Sequence, residues 1–211
     1  MKLVEIFRSI QGESTYAGLP CGFVRLAECN LRCSYCDTTY AYEARFELPV
    51  SDVVERVKEL ACPLVLITGG EPLLQDEVYP LMEELLGAGH KVLLETNGSL
   101  SLARVDPRVV KIVDVKCPGS GEADKNRWEN LSFLTSQDEV KFVFCDQEDY
   151  KWACTKVREH SLDSRFSVLF SPAFGQLDAR MLAQWIVSDG LGVRLQLQLH
   201  KLIWGLDAQG V

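Results

Sequence analysis

Between Gly22 and Glu28 the chain reads GFVRLAE, with Phe23, Arg25 and Ala27 alternating against Val24, Leu26 and Glu28. That period of two predicts a strand. Short strands are also predicted at 3–6, 64–67, 92–94, 109–115, 140–145 and 167–170. A last strand is read at 194–200, RLQLQLH, where Leu195, Leu197 and Leu199 share one side. Helical spacing fills the gaps. Ser51 is the candidate N-cap of a helix with Val53, Val54, Val57 and Leu60 on one face, ended by Pro63. In 77–86, Val78, Leu81, Met82, Leu85 and Leu86 follow the spacing of an amphipathic helix, closed by Gly87 and Gly89. A less regular helix covers 147–159, and another at 178–188 turns Met181, Leu182, Trp185 and Ile186 inward.

Strand and helix alternate, which argues for parallel strands joined by right-handed crossovers. A complete (β/α) barrel typically takes about 250 residues. This chain has 211, and several connections are too brief for a helix. The expected fold is α/β: a partial, open barrel of about six mostly parallel strands with reduced helix content. One domain, 1–211, is expected. The stretch 117–138 is the one long, weakly patterned piece and is read as a functional loop with a short helix. In sheets of this kind, ligand groups collect at the carboxyl ends of strands. The segments 11–13, 68–72, 95–98 and 114–116 each follow a predicted strand, so they are expected on one rim.

Composition narrows the class. Hydrophobic content of 47% and charged content of 25% are those of an ordinary globular protein. A net charge of −8 argues against a nucleic-acid surface, though not against a local basic pocket for a small anion. The start, MKLVEIFRSIQGES, carries Glu5 and Arg8 inside its apolar run and is not read as a signal peptide. No apolar stretch approaches the roughly 18 residues of a membrane helix. Eight cysteines without a secretion signal point to a reducing cytoplasm.

The chemistry concentrates in AECNLRCSYCDTTYAY, where Cys29, Cys33 and Cys36 are spaced C-x3-C-x2-C. Three soft thiolates on one loop suit three irons of a 4Fe–4S cluster and leave the last iron open. Zinc is the rival, and it wants four ligands, commonly in C-x2-C pairs. Cys21, Cys62, Cys117, Cys145 and Cys154 are scattered singly. The glycines of Thr68-Gly69-Gly70-Glu71-Pro72 allow close backbone approach to a ligand or merely make a tight turn. Glu71 either takes a ligand ammonium or braces that turn. Glu95-Thr96-Asn97-Gly98 suits a ribose or carboxylate, and is equally an ordinary Asn-Gly turn. Lys116 either neutralises a carboxylate or lies on the surface. Gln11 and Glu13 together present donor and acceptors for a guanine-like or pterin edge. Arg25, on a strand before the cysteines, wants an anion from the protein or from a substrate. Thr38 either lends a hydroxyl to a hard cation or caps the loop with Asp37. His200 either bonds a ring substrate or sits satisfied at the strand end.

The cysteine loop and GGEP resemble the radical S-adenosylmethionine (SAM) superfamily. Ile10-Gln11-Gly12-Glu13-Ser14, Phe23-Val24-Arg25, Cys36-Asp37-Thr38, Glu95-Thr96-Asn97-Gly98 and His200-Lys201 narrow the resemblance to the 7-carboxy-7-deazaguanine synthase family, from the amino terminus to about Trp204. The resemblance implies a truncated barrel and a homodimer. It implies conversion of 6-carboxy-5,6,7,8-tetrahydropterin to 7-carboxy-7-deazaguanine with loss of ammonia, in queuosine and other 7-deazapurine synthesis. The implied cofactors are a 4Fe–4S cluster on Cys29, Cys33 and Cys36, regenerated SAM, and Mg2+ at Thr38. The implied SAM contacts are Tyr35, Cys36, Asp37, Gly70, Glu95, Asn97, Asp114, Val115 and Lys116. The implied substrate contacts are Ile10, Gln11, Gly12, Glu13, Arg25, Thr68, Ser171, Pro172 and His200. A flavodoxin-like or ferredoxin-like protein would supply single electrons. The family often has Ser-Pro-Lys where this chain has Asp114-Val115-Lys116, and no role is assigned to 205–211. The enzyme alternative is a glycyl-radical-type activase, which shares the cysteine spacing. The alternative from another class is a non-catalytic iron–sulfur or zinc protein.

Overall fold

The structure, a computed structural model, describes residues 1–205 and 208–210. Among these residues, β1 (Lys2–Ile10), β2 (Pro20–Leu26), β3 (Phe46–Glu47), β4 (Leu64–Gly69), β5 (Lys91–Thr96), β6 (Val110–Val115), β7 (Glu139–Phe144), β8 (Ser167–Pro172) and β9 (Arg194–Leu195) form one sheet. Its order is β3-β1-β2-β4-β5-β6-β7-β8-β9. From β2 to β9 neighbouring strands run parallel, whereas β1 and β3 add an antiparallel edge. The sheet is open, with β3 at one edge and β9 at the other. The six long parallel strands are the ones expected from the apolar runs.

Four helices cover the convex side: α1 (Val50–Glu59), α2 (Val78–Gly87), α3 (Gln147–His160) and α4 (Ala179–Asp189). No α-helix separates β5 from β6, and three short 3-10 turns separate β6 from β7. The expected short helix in 117–138 is therefore a chain of turns. Outward residues of the strands, such as Val24, Ile67, Leu94, Val113, Phe142 and Phe170, pack with Val57, Leu81, Val157 and Leu182 of the helices into the main core. A smaller cluster of Cys21, Phe23, Leu64, Leu66, Leu93, Val110 and Ile112 lies on the opposite face.

Several boundaries differ from the sequence pattern. β1 continues past residue 6 to Ile10 because it pairs with β2 from Leu3↔Leu26 to Ile10↔Pro20, and pairing overrides the polar Arg8 and Ser9. Ser51 is not a cap: α1 starts after Pro49, and the Ser51 hydroxyl donates to Asp52. Met181 is 47% exposed, and Leu182 alone on α4 is fully buried, with Trp185 and Ile186 at the core margin. The final strand stops at Leu195, although the Gln196 amide still donates to the Phe170 carbonyl. The chain then turns at Gln198 into a short helix, α5 (Leu199–Trp204), so His200 is helical. An edge strand has a partner on one side only, and the Leu199 amide finds another, the Gly12 carbonyl at 3.0 Å.

One ion pair is sealed within the sheet. Lys111 and Asp138 are 1% and 0% exposed, with Nζ 3.2 Å from Oδ2. Asp138 also accepts from the backbone amides of Lys111 and Thr135 and from the Thr135 hydroxyl. Removing one partner strands a buried charge. Asp138→Ala is expected to destabilise the fold by about 3–5 kcal/mol in denaturant melts, and a loss under about 1 kcal/mol would contradict that role.

Candidate active site

The concave face of the sheet is built in two tiers. Phe7 and Phe23 stack with centroids 4.8 Å apart, and with Leu66 and Ile112 they make an apolar floor. Two residues further along successive strands, the face becomes polar: Arg25, Thr68, Glu95, Asp114 and Lys141. Register sets Arg25 beside Thr68 and Asp114 beside Lys141. Both tiers line one cavity of about 390 Å³.

The polar belt is linked by ion pairs. Lys141 Nζ lies 2.5 Å from Glu95, 3.0 Å from Glu13 and 3.8 Å from Asp114. Burial alone would lower the Lys141 pKa, but these carboxylates raise it well above the ordinary lysine range. Burial alone would raise Glu95, yet Lys141 and the Thr68 hydroxyl, 3.1 Å away, hold its carboxyl below its usual value. Lys116 pairs with Asp114 at 2.9 Å. Arg25 is satisfied by Glu5 at 2.6 Å, so of the two anions considered for it the protein supplies one. Tyr40 donates to the same carboxylate.

Cys29, Cys33 and Cys36 all face this cavity as free thiols, and no other cysteine lines it. Their loop is clamped from below. Gly69 has φ +148°, and a Cβ there would lie 2.1 Å from the Leu26 carbonyl oxygen; a Cβ on Gly70 would lie 2.0 Å from that of Glu28 and 3.0 Å from Cys29 Cβ. The glycine pair thus admits the chain leading into the cysteines, and the Gly70 and Glu71 amides donate to Leu26 and Glu28. Glu71 is fully buried and takes hydrogen bonds from the Asn97 and Leu73 amides and the Thr96 hydroxyl, so it braces the turn. Asn97 reaches Asn30 and Cys29 Sγ from the adjoining turn. On the other flank the Ser34 amide and hydroxyl donate to the Ser120 and Gly119 carbonyls, and the Arg32 amide donates to Glu122. The weakly patterned 117–138 stretch therefore carries support for the cysteine loop.

Gln11, Gly12 and Glu13 do not share the rim of the other segments. They follow β1, which runs antiparallel, so Ile10 faces the start of β2 rather than its end. The connection 11–19 closes the opposite end of the cavity. β7 holds it twice on its concave side: Glu139 accepts from the Thr15 amide and hydroxyl, and Lys141 pairs with Glu13. The carboxyl-terminal segment bridges both ends of the site. Gln198 donates to Glu13 and Asp37, and Lys201 Nζ pairs with Asp37. His200 packs on Gly12 so closely that a Cβ there would lie 2.3 Å from Nδ1. Burial pushes the His200 imidazole pKa down, which favours the neutral ring.

Of the sequence-derived site residues, Ile10, Gln11, Gly12, Glu13, Arg25, Cys29, Cys33, Tyr35, Cys36, Asp37, Thr38, Thr68, Gly70, Glu95, Asn97, Asp114, Lys116 and His200 line the cavity together. Val115 instead packs in the main core, because alternation along β6 turns it away from Asp114 and Lys116. Ser171 is buried outside the cavity lining, and Pro172 lines a separate hollow beside α4. Glu5, Tyr40, Lys141 and Gln198 are cavity residues that motif reading missed, and Lys201, quoted only as part of the His200-Lys201 motif, lines the cavity as well. Lys141 had a signal, since a lysine in VKFVFC needs a buried partner. The others had none before the chain was folded.

The lining fits a cluster and its ligand. Three thiols from one loop leave no local fourth cysteine, and Tyr35 OH and Asp114 Oδ1, both buried in the cavity wall, have no partner among the described residues. Such orphaned polar atoms mark where a ligand's polar groups would sit. The family model for the radical SAM superfamily matches residues 25–174. A 7-carboxy-7-deazaguanine synthase from Koribacter versatilis is 48% identical, with 100% of both chains aligned. Its counterpart from Chlorobaculum tepidum is 46% identical over 100% of this chain and 97% of its own. The chain belongs to the 7-carboxy-7-deazaguanine synthase family. The fold agrees with the crystal structure of QueE from Escherichia coli, with a TM-score of 0.76, 22% identity and 94% of each chain covered. Membership of the radical SAM superfamily brings with it a 4Fe–4S cluster and SAM. In this member of the synthase family, Gly70→Ala is expected to displace the Cys29 segment. After anaerobic reconstitution, the variant's iron and sulfide content and visible absorbance should fall to near zero. A full complement of both would contradict the clamp.

Proposed function

We propose that this chain is a radical SAM lyase that converts 6-carboxy-5,6,7,8-tetrahydropterin to 7-carboxy-7-deazaguanine with loss of ammonia. The observation that supports this most is a single cavity with the three thiols in one wall and the Gln11–Glu13 connection in another. Loss of ammonia accounts for the whole difference between substrate and product, so no net oxidant is required. A reduced 4Fe–4S cluster with SAM would supply one-electron chemistry able to abstract a hydrogen atom from the substrate. Cys29, Cys33 and Cys36 would hold the cluster. Asn97, Asp114, Lys116 and the Tyr35 hydroxyl would meet the polar groups of SAM, and Glu95 its ribose.

Gln11 and Glu13 offer a donor and acceptors matched to the amide and amino edge of a pterin. Arg25, already carrying Glu5, gives the belt a cation near the substrate carboxylate. The stacked Phe7 and Phe23 make the dry floor, and positioning is most of what such a protein contributes. Thr38, whose hydroxyl donates to Asp37 at 2.8 Å, is the proposed Mg2+ contact beside that carboxylate. A homodimer is supported by apolar side chains left exposed near the carboxyl terminus, Leu195, Leu202, Ile203 and Trp204. The working unit is one domain, 1–211, in the cytoplasm, reduced by a flavodoxin-like or ferredoxin-like donor. No helix among the described residues is long and apolar enough to cross a membrane.

Anaerobic incubation of the reconstituted protein with carboxytetrahydropterin, SAM and reductant should give 7-carboxy-7-deazaguanine by mass analysis. Hydrogen abstraction from a glycine of a protein partner, with no deazaguanine formed, would favour the activase instead. Thr38→Ala should flatten the Mg2+ dependence of turnover while leaving the cluster absorbance intact; an unchanged Mg2+ response would remove Thr38 from that role.

A further inference from the structure

Lys141 is the cavity's best-connected cation, and no motif includes it. It is 5% exposed, lies on the concave side of β7, and faces carboxylates from three separate parts of the chain. Lys111, by contrast, is buried away from the cavity and meets the single carboxylate Asp138, as a purely structural pair does. Lys141 lies instead between Glu13 of the 11–19 connection and Glu95 and Asp114 of the strands, the groups that the function proposed above assigns to pterin and to SAM respectively. An ammonium has three donors and no acceptor, so one lysine can anchor several carboxylates.

We propose that Lys141 is a positioning residue that couples the pterin and adenosyl halves of the cavity, its ammonium holding Glu13 and Glu95 in register with each other. The inference rests on the function proposed above. Without the ammonium, Glu13, Glu95 and Asp114 face one another in a buried site, and like charges there separate or take up protons. Glu13 is also tied to Gln198, so its displacement pulls on the carboxyl-terminal bridge that reaches Asp37 at the cysteine loop. A ligand that orders Glu95 orders Glu13 through the shared cation, and by reciprocity the reverse holds. Misplacement of about 1 Å between reacting atoms costs roughly a hundredfold in rate, so loss of register should appear as SAM cleavage without product.

The test uses the cluster-loaded protein with Lys141→Met, Lys141→Arg, Glu13→Gln and the double variant Glu13→Gln/Lys141→Met. Calorimetry gives the affinity for 7-carboxy-7-deazaguanine with and without SAM, and turnover gives 5′-deoxyadenosine released per product. The wild type should bind the product more tightly with SAM present. Lys141→Met should lose that linkage, weaken product binding by about tenfold or more, and raise the 5′-deoxyadenosine ratio at least severalfold. Lys141→Arg should keep the linkage. The double variant should bind product no more weakly than Glu13→Gln alone, since both changes break one connection. Absence of linkage in the wild type, linkage intact in Lys141→Met, or additive losses in the double variant would each overturn the role. If Lys141→Met does not fold, Lys141→Arg and the double variant, which has one buried carboxylate fewer, carry the comparison. A wild type that makes no deazaguanine refutes the proposed function, whereas these linkage outcomes refute only the role of Lys141.

Discussion

There is no room for a side chain beneath the cysteine loop. At the end of β4, a Cβ on Gly69 would lie 2.1 Å from the Leu26 carbonyl oxygen, and one on Gly70, the next residue, 2.0 Å from that of Glu28. That contact fixes how the chain leaves β2 and enters Cys29. Glu71 locks the turn to Thr96 and Asn97, and Asn97 reaches back to Cys29. The thiols are thereby held by the rigid ends of β2, β4 and β5 and face inward over the concave sheet. A loop without that joint would still have its three cysteines, but nothing would aim them at the cavity.

The concave face then divides the work by position along the strands. The apolar floor excludes water, and the polar tier above it carries paired charges rather than free ones. Arg25 is matched by Glu5, Lys116 by Asp114, and Lys141 by Glu13 and Glu95. Such a site is preorganised, because its dipoles and charges are in place before any ligand arrives. The Tyr35 hydroxyl and Asp114 Oδ1 are exceptions, buried and without partners among the described residues. The sheet is open at its β3 and β9 edges, and side chains that follow β9 bridge back across the site: Gln198 reaches Glu13 of the 11–19 connection and Asp37 beside the cysteine loop, and Lys201 pairs with Asp37.

Much of this was legible in the sequence wherever a local rule was enough. The alternation in GFVRLAE put Arg25 on the same face as Phe23, and the structure has both in the cavity. The cysteine spacing singled out a loop whose three thiols all line the cavity. What failed needed pairing partners. The polar residues Arg8 and Ser9 hid the second half of β1, which only its ladder to β2 reveals. RLQLQLH alternates well, yet after Leu195 hydrogen bonding to Gly12 and packing of His200 prevail over the pattern. The glycines of the 68–72 segment read either as an approach for a ligand or as a tight turn, and only the folded chain shows that they admit the protein's own backbone while also lining the cavity. The Gln11–Glu13 segment follows a strand, but an antiparallel one, and strand direction is a property of topology rather than of any tetrapeptide.

Cys29, Cys33 and Cys36, aimed at the cavity by that glycine joint, would hold a 4Fe–4S cluster by three thiolates only and so leave it able to bind SAM. Pulsed electron–nuclear double resonance on the reduced, reconstituted protein tests it most directly, using SAM labelled with 15N in its amino group. A new 15N hyperfine coupling to the cluster is expected when labelled SAM is added. A spectrum that stays unchanged at saturating SAM, with every iron already held by the protein, would contradict it.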